Sequence, residues 1–480
     1  MSTEIIHQHV LELDRTAALT EIALADVFAR RYQAEVLFCP AWRTWLVWTG
    51  KRWQRDESGH MMERAKEMAR ALEQFVRDNF RSGEEDADGG KVRNRKLAEA
   101  RAFQSERKLT ALLKLARSTA TLLISPEQLD AKPMLLNTPT ATVDLATGEA
   151  RAPDPGDRLT QLTGCTWPDA GLSAPDPPRC LRMLNDIFAG SAGMVAYFQR
   201  LLGYAFTGST KERVMAILFG KTMNGKSTLE GLNRKIAGDY GATTRPATSM
   251  GGVFENEGRK AALAGLRGKR IVQMSESREG DRLDEAMVKG VTGGDEIETK
   301  RMGENPFTFR PSFKLWLATN HKPGVSSSDE AIWNRLHFIP FTRNIVEVMT
   351  ARGEPVMGTE EAVESIFAEE GPLILAWIVR GCLEWQRDGL KPPPAVLDAG
   401  TVHRQEMDPL APFLEECCEI SDKKSVRVTE LRPDYFRWCR DNNYPPLPTK
   451  ALDAAVSAKF QRRKTNGYET WHDLALKKAS

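Results

Sequence analysis

An eight-residue segment, GKTMNGKS at Gly220–Ser227, constrains this 480-residue chain more than any other feature. It matches the pattern G-x-x-x-x-G-K-[ST] at every position. The apolar run VMAILF before it predicts a buried strand, and STLEGLNRKIAG after it predicts a helix. A strand, a glycine-containing bend and a helix in this order can hold a triphosphate, so we predict a nucleotide site here.

The residue types of this loop suit phosphate binding. The two glycines allow a bend in which backbone N–H groups face phosphate oxygens. We expect the Lys226 ammonium to reach the β- and γ-phosphates and the Ser227 hydroxyl to bind Mg²⁺. The predicted nucleotide-binding residues are Gly220, Lys221, Thr222, Met223, Asn224, Gly225, Lys226, Ser227 and Thr228.

Hydrolysis also needs groups that activate water and stabilise charge, and three later residues are candidates. Glu276 directly follows the predicted strand RIVQMS and can polarise water, although a strand-end surface acid is the alternative. Asn320 follows another apolar strand and can orient water through its amide, or can serve as a turn residue. Arg335 can act as an arginine finger on a neighbouring subunit, or can pair with Asp329 or Glu330.

Alternating strands and helices around the loop predict an α/β fold with a parallel-sheet ATPase core. Mixed α+β structure is expected before this core, with a helix over 61–79, one basic helix over 91–117 and a turn at Gly148. Proline-rich stretches then suggest linkers. Strands of the core are predicted at Val214–Phe219, Arg270–Ser275, Phe313–Ala318 and Leu336–Pro340.

Composition excludes several classes of protein. The formal net charge is only +2, so any nucleic-acid contact must come from local patches. Seven scattered cysteines without a CxxC pair predict neither a zinc site nor a disulfide framework. No run of about eighteen apolar residues occurs, so we expect no membrane partner and a cytoplasmic location. We interpret the basic helix as a solvated face and the tryptophans near the start as packing residues, in preference to DNA contacts.

Five segments occur in a fixed order and at compact spacing: GKTMNGKST, GKRIVQMSES, DEAMVKGVTGGDEIETKR, FKLWLATNHKP and DEAIWNRLHFIPF. Together they resemble the superfamily-three helicase module of phage and plasmid primase-helicases, a family that includes poxvirus-type replication helicases. The resemblance covers residues 180–342 and extends more weakly to both sides. The segment EMDPLAPFLEECCEI and the basic end that follows resemble the C-terminal winged-helix domain of that family.

The resemblance implies an AAA+-like ATPase, with ATP and Mg²⁺ as cofactors, that assembles as a hexameric ring. By motif, Glu276 would be Walker B, Asn320 sensor 1 and Arg335 a finger acting in trans. A hairpin over 296–310 would project into a central channel. The predicted DNA-binding residues are Lys300 and Arg301 at the hairpin tip, with a solvated tip as the alternative, and Arg462, Arg463 and Lys464 on a wing, with a solvated loop as the alternative.

The resemblance also implies units along the chain. They are a mixed α+β region at 1–165, a helical collar at 175–210, the ATPase domain at 211–345, a helical segment and linker at 346–400, and a winged-helix-like DNA-binding domain at 405–480.

The leading functional hypothesis is a DNA helicase that moves 3′-to-5′ on single-stranded DNA, for replication of a phage, prophage or plasmid in a bacterial host. Expected partners are single-stranded or forked DNA and further copies of the chain. A separate primase or polymerase is a further partner, because residues 1–150 offer no convincing carboxylate set for priming. The alternatives are an AAA+ origin-melting initiator or DNA remodeller without processive unwinding, and a non-catalytic DNA-binding scaffold.

Overall fold

The structure is a computed structural model that describes residues 20–79, 89–244, 257–275, 281–300, 306–325, 330–408, 410–465 and 467–477. Across these ranges no helix is both long and apolar enough to cross a membrane.

In the described residues of the N-terminal part, four helices pack around a three-stranded antiparallel sheet. Its elements are α1 (Glu21–Tyr32), β1 (Val36–Cys39), β2 (Thr44–Trp48), β3 (Trp53–Arg55), α2 (His60–Asn79), α3 (Gly89–Ala102) and α4 (Glu106–Ala116). Trp45 and Trp53 are buried, which confirms packing roles for these two rings. The prediction of one basic helix over 91–117 is wrong. Two helices are present instead, separated at a turn in which Phe103 is buried and Ser105 takes the extended N-cap conformation of α4.

A second antiparallel sheet and two helices precede the predicted nucleotide loop. They are β4 (Leu135–Asn137), β5 (Thr142–Asp144), β6 (Ala150–Arg151), α5 (Pro178–Ile187) and α6 (Ala192–Ala205). The predicted turn at Gly148 is confirmed, since its N–H donates to Asp144 O at 2.6 Å between β5 and β6. The proline-rich stretch before α5 is packed against the core, where Trp167 and Ala174 are buried and Arg380 donates to the Ala174 carbonyl at 2.8 Å.

A five-stranded parallel sheet forms the middle of the chain. Its elements and their connections are β7 (Met215–Phe219), α7 (Lys226–Ala237), β8 (Gly241–Thr244), α8 (Glu257–Ala264), β9 (Ile271–Ser275), α9 (Glu285–Gly293), β10 (Ile297–Thr299), β11 (Phe307–Phe309), β12 (Lys314–Thr319), α10 (Glu330–Trp333) and β13 (Leu336–Pro340). The strand order is β13-β7-β12-β9-β8, and every pairing is parallel. The four predicted core strands are confirmed within one residue at each end.

Both faces of this sheet are covered, which explains why its strands are continuous apolar runs. Along β7, Met215 and Ile217 pack into one hydrophobic cluster, while Ala216 and Leu218 pack into the cluster on the other face. This alternation follows from the two-residue period of a strand. Because every pairing is parallel, the carboxyl ends of the five strands lie at one edge of the sheet, which we call the carboxyl edge. Their starts form the opposite amino edge.

Three helices follow β13 and support the sheet. They are α11 (Ile345–Ala351), α12 (Thr359–Asp388) and α13 (Pro394–Glu406). Helix α12 crosses α6 at very close range. A Cβ on Gly203 would lie only 2.1 Å from Cys382 N. Likewise, a Cβ on Gly381 would lie 2.3 Å from Gln199 O, so the two helix backbones touch at glycines.

The C-terminal part has its own hydrophobic core, which includes Phe413, Tyr435, Trp438 and Trp471. Its elements are α14 (Ala411–Cys417), β14 (Cys418–Arg427), α15 (Val428–Asp441), α16 (Thr449–Ser457), β15 (Arg462–Thr465) and β16 (Tyr468–Leu476). The three strands form an antiparallel sheet in the order β14-β16-β15. Chain order is therefore helix, strand, two helices, then a two-stranded hairpin.

Candidate nucleotide-binding site

Both glycines of the predicted loop are required by its geometry. Gly220 has φ +152°, and a Cβ there would lie 2.0 Å from Phe341 O. Gly225 has φ +85°, and a Cβ there would meet Ile187 Cδ1 at 2.9 Å. The loop therefore bends tightly between β7 and α7 and is enclosed by α5 on one side and the segment after β13 on the other.

Hydrogen bonds from both neighbouring strands fix the loop. On the β12 side, Gly220 N donates to Thr319 O at 3.3 Å. On the β13 side, the Asn224 side-chain amide donates to Phe341 O at 2.7 Å, and Ile345 N donates to Met223 O at 2.8 Å. The loop conformation is thus set by tertiary contacts and does not depend on local sequence alone.

Lys226 is buried at the start of α7, and its ammonium lies against the loop. Nζ donates to Gly220 O at 2.7 Å, Lys221 O at 2.8 Å and the Asn224 side-chain oxygen at 2.8 Å. Burial lowers the pKa of Lys226 to about 8, an effect that the nearby Glu230 carboxyl opposes. Burial also raises the pKa of Glu230 to about 7. The three oxygens that accept from the Lys226 ammonium are all neutral. A phosphate, which carries charge, can therefore replace them as the partner of this lysine.

The remaining loop residues are mostly open to solvent. Lys221, Thr222 and Met223 are exposed at the bend, and the Ser227 side chain is exposed in the first turn of α7, followed by a partly buried Thr228. Among the described residues, no group of three or more His, Cys, Asp or Glu side chains is arranged to hold a metal. A Mg²⁺ ion that keeps several waters and binds phosphate oxygens fits one hydroxyl ligand such as Ser227.

The sheet register brings the candidate sensor next to the loop. Thr319 pairs with Phe219, the last residue of β7, and Asn320 comes immediately after it. The Thr319 hydroxyl accepts from His321 N at 3.1 Å and donates to His321 O at 2.7 Å, so Asn320 is exposed in a tight turn. On the other side of β12, Ala318 pairs with Ser275. Glu276 follows Ser275 and lies outside the described residues.

Arg335 lies at the amino edge, away from this loop. It immediately precedes β13, and its carbonyl accepts from Met215 N at 2.8 Å, at the start of β7. The strand then runs to Pro340, so roughly 17 Å of strand separate Arg335 from the loop of its own chain. Within the described ranges, which include Glu330 but not Asp329, Arg335 makes no ion pair.

The hairpin predicted over 296–310 is present as β10 and β11, which pair antiparallel from Ile297 with Phe309 to Thr299 with Phe307. An ion pair between Arg310 and Glu296, at 3.2 Å, closes its base. Lys300 follows β10 and is partly buried, whereas Arg301 lies outside the described residues.

The predicted basic wing residues lie on β15 and are all exposed. Arg462 is paired with Glu469 and, at 3.6 Å, with Asp453, so much of its charge is compensated. The Arg463 guanidinium donates to the Gln461 side chain at 3.1 Å, and both Arg463 and Lys464 remain open to solvent.

Sequence reasoning missed two parts of the site. The first is the segment from Phe341 to Ile345, which encloses the loop and contains Arg343; the rule that ligands bind at carboxyl ends of parallel strands could have found it. The second is a support of the segment after the Asn320 turn: His403 of α13 is buried and contacts Pro323 O at 2.9 Å through Nε2. No local sequence signal identifies that contact, because the two residues are eighty positions apart.

Comparisons with known proteins match separate parts of the chain. Residues 25–189 match the family described as D5 N terminal like, and residues 218–335 match a family of unknown function, DUF5906. "Putative helicase 022R" of Frog virus 3 (isolate Goorha) is 26% identical over 260 residues, which cover 52% of this chain and 27% of that protein. "Putative helicase L207/L206" of Acanthamoeba polyphaga mimivirus is 24% identical over 259 residues, with the same coverage.

Among solved structures, the apo C terminal region of NrS-1 aligns with 95% of this chain and 100% of its own chain, at a TM-score of 0.47 and 11% identity. The chain thus spans about a quarter of the length of the two viral relatives. The matches relate the chain to the D5-type primase-helicase superfamily.

Proposed function

We propose that this protein is an ATP-dependent DNA helicase that acts in replication as a ring of identical subunits, with an AAA+-like core. One observation carries the proposal: a tightly bent Gly220–Ser227 loop, with a buried lysine inside it, lies at the carboxyl edge beside the Asn320 turn. Parallel sheets bind ligands at this edge.

Each group of the loop has a task in that reaction. Backbone N–H groups and the start of the twelve-residue α7 bind phosphate oxygens, and Lys226 leaves its carbonyl partners to contact the β- and γ-phosphates. Mg²⁺, held by Ser227 and the phosphates, would neutralise charge that develops during transfer. Asn320 orients water, and Glu276, one residue beyond β9, polarises it.

The position of Arg335 favours a ring. The strand between this residue and the loop of its own chain is too long for an arginine side chain to span. As an arginine finger, Arg335 would therefore act on the nucleotide of a neighbouring copy. The relatives named putative helicases support the helicase part of the proposal.

The DNA contacts are proposed from two hairpins. Lys300, directly after β10 in the β10–β11 hairpin, would bind backbone phosphates in a channel. The helix, strand and hairpin order of the C-terminal part supports a winged-helix fold, with α16 as recognition helix and Arg463 and Lys464 on the wing.

The central test compares a lysine of the loop with a lysine far from it in the sequence. Lys226→Ala is expected to abolish ATP turnover, with and without single-stranded DNA, and unwinding of a forked duplex. Lys51→Ala, which removes an exposed lysine without an ion pair among the described residues, is expected to retain most activity. Unchanged turnover in Lys226→Ala would overturn the proposal, and turnover with origin melting but no fork unwinding would favour the DNA remodeller instead.

A further inference from the structure

The segment that follows β13 is clamped onto the nucleotide loop at two points. At one point, Phe341 N donates to Phe219 O at 2.8 Å, and Phe341 O accepts from Asn224. At the other, Ile345 N donates to Met223 O at 2.8 Å. Residue 343 is midway between these anchors, so its Cα lies within about 8 Å of the Cα atom of each anchor residue. Its backbone is therefore held beside the loop.

Arg343 is the uncompensated charge of this segment. Its side chain is partly buried, and it forms no hydrogen bond or ion pair with another residue in the part of the chain that the structure describes. The neighbouring acids are already engaged. Asn344 donates to Glu347 at 2.9 Å, and Asp186 of α5 binds Arg352 through two bonds of 2.8 and 2.6 Å. A partly buried guanidinium without a counterion suits an anion that arrives from outside.

We infer that Arg343 binds a phosphate of the nucleotide held by its own chain, which adds a second cation to Lys226; this rests on the proposed function. The two ends of β13 then serve different sites. Arg343, past the carboxyl end of the strand, contacts the nucleotide of its own subunit, whereas Arg335, before the amino end, faces the neighbour. One five-residue strand thus connects a subunit's own nucleotide to the finger that it presents.

The test measures equilibrium binding of mant-ATP with Mg²⁺ to the full chain, without DNA. Arg343→Ala is expected to raise the Kd by about ten- to a hundredfold, the loss of one charge-assisted hydrogen-bond partner. Arg343→Lys, which keeps the charge but not the fork, is expected to recover part of this loss. Arg404→Ala, an exposed arginine of α13 without an ion pair among the described residues, is the matched control and should leave the Kd unchanged.

Lys226→Ala and Arg335→Ala separate the possible failures. If Lys226→Ala binds mant-ATP like the wild type, the proposed nucleotide site itself is wrong. If Lys226→Ala loses binding but Arg343→Ala stays within twofold of the wild type, the Arg343 inference alone is overturned. It is also overturned if Arg343→Ala binds normally and its lost turnover returns on mixing with Lys226→Ala subunits, because Arg343 would then serve the neighbour.

Discussion

The carboxyl and amino edges of the central sheet are built on opposite principles. At the carboxyl edge, the loop is immobilised by hydrogen bonds from both neighbouring strands, and Lys226 is buried among oxygens. At the amino edge, Arg335 has a fixed backbone but no side-chain ion pair within the described ranges. In the proposed function, the carboxyl edge receives the nucleotide and the amino edge presents Arg335 to a neighbouring copy. Each copy would then hold two half-sites, and the predictions below test that division.

Arg335→Ala should give the largest effect on hydrolysis among the predictions that follow. We expect ATP binding to survive and turnover to fall by about a thousandfold, the lower end of what an arginine finger contributes. Steady-state ATPase assays together with mant-ATP binding measure the two properties separately. Mixing Arg335→Ala subunits with Lys226→Ala subunits should restore part of the turnover, since an intact loop then meets an intact finger. Loss of binding in Arg335→Ala, or no recovery on mixing, would contradict the division between edges.

Asn320→Ala should give the next largest effect. The residue is exposed in a turn that Thr319 and His321 hold, so truncation removes the water-orienting amide without disturbing the core. We expect kcat to fall by about a hundredfold with an unchanged Kd for ATP. Asn94→Ala, an exposed asparagine of α3, is the matched control. An equal rise in Kd and fall in kcat/KM would instead assign Asn320 to binding.

The central sheet could be predicted well because its strands carry a strong local signal. The apolar runs that became β7, β9, β12 and β13 are buried on both faces, so their hydrophobicity alone marked them. The strand β8 was missed, since Gly241–Thr244 consists of small and polar residues and its pairing with β9 depends on tertiary context. The prediction of one basic helix over 91–117 was wrong for a similar reason. The many charged residues of this segment gave no sign that Phe103, between the two helices, is buried.

The site could be predicted only where a residue belongs to a sequence motif. Gly220, Gly225 and Lys226 could be named as candidates because the motif fixes their spacing, and the structure places them in one bent loop. Their role in nucleotide binding stays a prediction. The position of Arg343 beside the loop depends on a contact between Phe341 and Asn224, which are far apart in sequence, so no local pattern indicates it. The assignment of Glu276 and Arg301 stays a prediction, because both lie outside the described residues.

The helical support of the carboxyl edge offers a stability test. Gly203→Ala would place a Cβ 2.1 Å from the backbone nitrogen of Cys382 on α12, and we expect it to lower the free energy of unfolding by about 2 kcal/mol. Gly193→Ala, in the same helix α6, has open space and should stabilise the protein by up to about 1 kcal/mol. Denaturant titration measures both. If Gly203→Ala were as stable as Gly193→Ala, the claim that the tight crossing of α6 and α12 stabilises the carboxyl edge would be wrong.

The strand that joins the two edges carries a group for a smaller, pH-dependent test. His337, in the middle of β13, contacts the Tyr197 hydroxyl through Nδ1 at 2.6 Å, and burial lowers its pKa to about 4. The unfolded chain, with a histidine pKa of about 6.5, binds more protons than the native state between these two values. Stability should therefore be complete near pH 7 and should fall as the pH decreases, by about 1 to 2 kcal/mol at pH 5 after allowance for partial exposure.

His337→Asn keeps an acceptor for Tyr197 but cannot ionise, so its free energy of unfolding should change less between pH 7 and pH 5 than that of the wild type. Denaturant titrations at the two pH values measure the difference. If the position of Arg335 depends on the packing of β13, ATP turnover of the wild type should fall more at pH 5 than turnover of His337→Asn. Binding of mant-ATP at the carboxyl edge should change equally in the two proteins. An equal pH dependence of stability in the two proteins would show that His337 has the same pKa in the folded and unfolded chain, and would contradict a link between its protonation and the position of Arg335.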